Sequence, residues 1–107
     1  MKKKTKKVNL DGKRYVVVRP PTGGEVTKAQ DMRAYIDENI TDMEEHADGI
    51  AELSYKSISW CILEHNLMNE DGKQDLWRVL MDSPATEIRK IQDAIESLTG
   101  GGVEKKR

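Results

Sequence analysis

Phenylalanine is absent from the 107 residues, cysteine occurs once and proline three times. A single cysteine, Cys61, excludes an intrachain disulfide, and a reducing compartment is the simplest consequence. Long apolar runs are missing too. The longest is Trp60 to Leu63, far short of the roughly 20 residues that a membrane-spanning helix needs. The Lys-rich start is not followed by the apolar segment of a signal peptide. The chain therefore reads as cytosolic, with no membrane partner. Without phenylalanine, the aromatic core rests on Trp60, Trp77 and some of Tyr15, Tyr35 and Tyr55. Hydrophobic residues make up 36% and charged residues 35%, so the core is thin for the length and leaves room for a partner to complete the burial. One domain fits this length, and neither a metal nor a disulfide is required to hold it.

Charge is abundant but segregated. Residues 1–19 carry eight Lys and Arg against Asp11, a local +7, and residues 37–48 carry six Asp and Glu with no Lys or Arg, a local −6. Blocks of this kind either form solvated faces or steer a partner.

The chain is organised around the apolar stretch Ile50 to Leu67, whose residues recur three or four apart and predict the core helix. Before it, Val8 to Leu10, Asp11-Gly12 and Lys13 to Arg19 read as a β-hairpin with a two-residue turn. That turn would set Leu10 opposite Lys13 and Val8 opposite Tyr15, with Val8, Leu10, Tyr15 and Val17 on one face. Pro20-Pro21 ends the second strand. A helix is expected from about Glu25 to Asn39. Thr41 with Glu44 has the spacing of a capping box, and Gly49 leaves open either one helix from 42 to 67 or a short acidic helix followed by the core helix. Asn69 to Gly72 reads as a turn and Gln74 to Met81 as a short helix with Leu76, Trp77 and Leu80 inward. Ser83-Pro84 starts a last helix, Ser83 as N-cap and Pro84 in its first turn. Its apolar ridge is Ile88, Ile91, Ile95 and Leu98, and its polar face includes Glu87, Arg89, Lys90, Asp93 and Glu96. The expected fold is mainly α: a small N-terminal β-hairpin followed by a bundle of three to five helices. It forms one domain over 8–99, between a disordered basic tail at 1–7 and a flexible tail at 100–107.

No combination of residues reads as a reactive centre. Cys61 and His65 stand four apart, but the flanks Trp60, Ile62 and Leu63 suit a buried, inert thiol. Asp42 and His46, with Glu45, supply too few ligands for zinc. Asn69 to Asp75 fails as a calcium loop, because the first ligand position falls on Leu67. Gly23-Gly24 lacks the Lys-Ser/Thr of a phosphate loop and reads as a turn into a helix. With no base, nucleophile and oxyanion donor in reach of one another, no enzyme, metal or cofactor is expected. Specific nucleic-acid binding is not expected either, because the basic tail has neither interleaved aromatics nor a reading helix.

Taken together, the chain resembles tail assembly chaperones of tailed bacteriophages or prophages. The similar features are the strand Arg14-Tyr15-Val16-Val17-Val18-Arg19, the break Pro20-Pro21-Thr22-Gly23-Gly24-Glu25, helices to the end, and a closing helix that Ser83-Pro84 opens. The resemblance covers about residues 8–99. It implies a protein of the bacterial cytoplasm that binds the tape measure protein, a long helical protein, and brings it to the tail tube subunit. Homo-oligomers are compatible with it. It also implies that a frameshifted longer form can arise near Glu104-Lys105-Lys106-Arg107. The expected docking place is a groove between the core helix and the last helix, with the acidic 37–48 block at its rim. The candidate contacts are Asp42, Glu44, Glu45, Trp60 and Trp77. The competing expectations are a structural phage tail or connector protein, or a small nucleic-acid-associated regulator using Lys2 to Lys7.

Overall fold

The computed structural model describes residues 4–67 and 75–99. The turn at Asn69 to Gly72, the rejected calcium loop, Gln74 and the segment 100–107 lie outside these residues in whole or part. The chain runs β1 (Lys6–Asn9), β2 (Tyr15–Val18), α1 (Gly23–Asn39), α2 (Met43–Trp60), β3 (Ile62–His65), α3 (Leu76–Met81) and α4 (Ala85–Leu98). Among the described residues it is mostly helical, with the expected N-terminal hairpin, a third strand and four helices.

The hairpin forms one residue out of the expected register. Val8 pairs with Val16 and Asn9 with Tyr15. The loop is Asp11-Gly12-Lys13, three residues instead of two, closed by Leu10 N–H donating to the Arg14 carbonyl at 2.8 Å, with Arg14 N–H donating to the Asp11 carbonyl at 3.4 Å inside it. Gly12 alone has a positive φ, at 67°, whereas the expected turn needs positive φ at both central residues. A one-residue slip exchanges the faces of a strand. Val16 and Val18, both 0% exposed, therefore join Val8 and Leu10 in the core, and Tyr15 and Val17 face outward in place of the expected pairing. The first strand also begins earlier than Val8, with Lys6 and Lys7 paired to Val18 and Val17.

The core helix ends before Leu67. Arg19 explains where. Its guanidinium donates to the Trp60 carbonyl at 2.6 Å and its backbone N–H donates to the Cys61 carbonyl at 2.8 Å. A cation and donors placed on the last helical carbonyls satisfy groups that the helix itself cannot. Ile62–His65 then add antiparallel to β2, with Leu63 as the extra residue of a bulge. The sheet order is β1-β2-β3. The Asn66 side chain accepts from Tyr15 N–H and donates to the Lys13 carbonyl, both at 2.9 Å, and so fastens the end of β3 to the hairpin.

One face of the sheet carries Val8, Leu10, Val16 and Val18. It is covered by Ile88, Ile91 and Ala94 of α4, Ile58 of α2 and Leu80 of α3. The other face is polar: Lys7 lies over the Tyr15 ring, and the Tyr15 hydroxyl donates to Glu64 at 2.7 Å. This is the usual division in an antiparallel sheet with one wet side.

Helix α1 starts in a capping box: Thr22 Oγ1 accepts from Glu25 N–H, and Glu25 accepts from Thr22 N–H. At α2 the cap is Asp42, accepting from Glu45 N–H at 3.0 Å, instead of the expected Thr41 with Glu44. Helix α2 runs unbroken through Gly49, which faces Ile36 of α1. The last helix begins at Ala85, one residue beyond the expected start. Ser83 does not cap it, since its hydroxyl donates back to the Val79 carbonyl. Ile88 and Ile91 are buried as the spacing predicts, with Ile95 and Leu98 partly buried.

Glu87 departs most from expectation. Assigned to the polar face, it is 2% exposed. Arg14 Nη1 donates to both of its carboxylate oxygens, at 2.7 and 2.8 Å, and Asp11 N–H donates at 3.2 Å. A buried carboxylate requires such partners, and here they tie the hairpin turn to the first turn of α4.

Candidate functional site: a trough along the α1–α2 pair

Helices α1 and α2 run antiparallel, with Asp37 beside His46 and Ile36 beside Gly49. Where α1 begins and α2 ends, a hollow of about 570 Å³ opens between this pair and α4. Its floor is Ser57 and Ile58 of α2 with Cys61 just after it. One wall is Pro21, Glu25, Val26, Ala29 and Gln30, and the other is Gln92, Asp93, Ile95 and Glu96. Trp60 also lines it. A second hollow of about 420 Å³ shares Ala29, Gln30 and Ser57 with the first and follows the seam to Asp37 and Ile50. Together they make a trough that follows α1 from Glu25 to Asp37, about 18 Å at the helical rise per residue.

The trough is apolar and shallow-sided. Val26 on its wall is 44% exposed. Ala29, Ala34, Ser54 and Ser57 keep side chains short along the seam. The Arg19 guanidinium forks onto both Glu25 oxygens at 2.9 and 2.7 Å, which holds the Glu25 carboxyl at about 2. Lys28 Nζ sits over the Trp60 ring at 4.7 Å. At the far end, Asp37 is held below the usual carboxylate range, first by His46, whose Nε2 lies 2.8 Å away, and then by Arg33. On α4, Asp93 and Glu96 are exposed and form no ion pair among the described residues.

The expected groove between core helix and last helix is thus present, with α1 as an additional wall that residue spacing did not reveal. Of the candidate contacts, Trp60 lines it. Asp42, Glu44 and Glu45 are exposed at the cap and first turn of α2, beyond Asp37 at the far end of the trough. Trp77, half-buried on α3 under Lys56 and Arg78, lines a separate hollow with Ala51 and Met81. The five residues therefore do not converge.

Cys61 and His65 occupy different elements instead of one helix face. Cys61 is 3% exposed, and burial pushes its thiol pKa up, as suits an inert core cysteine. His65 Nδ1 accepts from Leu67 N–H at 3.2 Å. His46 turns to Asp37 and not to Asp42. Among the described residues no three His, Cys, Asp or Glu side chains are grouped as metal ligands would be, and no helix is long and apolar enough to cross a membrane. Comparison with protein-family models, curated proteins and solved structures gives no match.

Proposed function

We propose that this chain is a tail assembly chaperone of the bacteriophage type, which covers an apolar stripe of the tape measure protein in the bacterial cytoplasm and promotes its meeting with the tail tube subunit. The observation that carries the reading is the trough. An open, apolar channel about 18 Å long suits roughly three turns of a helix, and short side chains along its seam let a helix backbone come close. Binding of this kind uses helix-in-groove packing and needs no bond-making chemistry. The thin core fits the same reading, because apolar surface left over by the fold becomes contact surface for a partner. Asp42, Glu44 and Glu45 line neither hollow and would act on a bound helix only through their charge at the Asp37 end.

Co-expression with a tagged tape measure protein tests the proposal. Val26→Arg places a long charged side chain on the exposed trough wall and is expected to abolish capture. Charge reversal at Glu44 and Glu45 weakens capture less. Capture unchanged by Val26→Arg would refute the trough as the site. Finding the protein in purified virions by mass spectrometry would make it a structural tail component instead of a chaperone.

A further inference from the structure

We infer that the trough selects helices that carry Lys or Arg beside their apolar stripe, and that Asp93 and Glu96 on α4 make the selection; this rests on the trough being a helix site. The two walls differ in charge. On the α1 side both carboxylates are answered by cations, since Glu25 is held by Arg19 and Arg33 is paired with Asp37. Lys28, over the Trp60 ring, keeps its positive charge, so this side carries no excess of negative charge. The α4 wall presents Asp93 and Glu96, both exposed and with no ion pair among the described residues, above the partly buried Ile95; Asp93 also borders Lys6, Lys7 and Lys90 across a neighbouring hollow, so Glu96 carries the larger part of the selection. A helix lying on Ile58, Ala29 and Val26 therefore has one flank against negative charge. A basic flank gains there and an acidic flank is repelled, so charge fixes which way round the helix lies as well as which helix binds.

The test uses the full chain and two fluorescent helical peptides with the same Leu/Ala stripe, one flanked by Lys and one by Glu, with binding read by anisotropy. The Lys-flanked peptide is expected to bind about 3–10-fold more tightly, the range for two solvent-exposed ion pairs. The preference should shrink as salt rises. Asp93→Lys with Glu96→Lys reverses the order, and Asp93→Asn with Glu96→Gln abolishes it with little structural disturbance. Equal affinities for the two peptides in the natural protein overturn the inference while leaving the trough as a helix site. Failure of both peptides to bind overturns the trough reading together with it.

Discussion

Arg14→Met isolates the energetic consequence of burying Glu87. In the natural protein the carboxylate is 2% exposed and receives three hydrogen bonds, two of them from one guanidinium nitrogen. Methionine keeps the length of the stem and removes both charge-assisted bonds, leaving only Asp11 N–H at 3.2 Å. Removing one partner of a fully buried ion pair costs about 3–5 kcal/mol. The Arg14 side chain is 37% exposed, so water can partly replace it and the expected loss is about 2–4 kcal/mol. For a domain of this size that lowers the melting temperature by about 10–25 °C. Circular dichroism at the helical minimum, in heat and in urea, measures it. Glu87→Leu on its own is expected to destabilise too, because Arg14 then loses its acceptor. Combining it with Arg14→Met should cost less than the sum of the two, since no unpaired charge remains. A loss below about 0.5 kcal/mol for Arg14→Met, or strict additivity in the double variant, would refute the reasoning.

Gly49→Ala should stabilise by about 0.5–1 kcal/mol. The added methyl meets Ile36 at 3.5 Å, an ordinary contact, and a lower urea midpoint would contradict this. Acid should act through Glu25, whose carboxyl is lowered from 4.5 to about 2 by Arg19. A depressed acid stabilises the fold fully above its unfolded value, and that contribution disappears as pH falls from 4.5 toward 2. The full displacement corresponds to about 3 kcal/mol, reduced to roughly 1–2 by screening at side chains a quarter exposed. Glu25→Gln should flatten the urea-midpoint profile over that interval, and an unchanged slope would remove the assignment.

How much of this was legible in the sequence depended on whether a signal was local. The ridge Ile88, Ile91, Ile95 and Leu98 was readable, because helical spacing is a property of neighbours in the chain. The hairpin was readable but its register was not: a two-residue loop at Asp11-Gly12 and a three-residue loop at Asp11-Gly12-Lys13 differ by one residue in pairing, and only the core beneath Val16 and Val18 decides between them. Strand β3 stayed hidden because Ile62 and Leu63 continue the apolar pattern of α2. The stop comes from Arg19, 41 residues earlier in the chain. Glu87 looked like any solvated helix residue, since its partner Arg14 lies 73 positions away. The trough was legible only as a groove between two helices. Its third wall depends on α1 folding back on α2, which the Gly49–Ile36 approach allows and spacing alone does not announce.

Two tryptophans in separate hollows make the decisive measurement simple. In a two-dimensional amide NMR spectrum the chain gives two indole N–H signals, Trp60 in the trough and Trp77 on α3. Titration with a helical segment of the tape measure protein should move the Trp60 signal together with the amides of Ala29 and Ser57, and leave Trp77 in place. Movement of Trp77 with a static Trp60 would put the partner elsewhere and contradict the account.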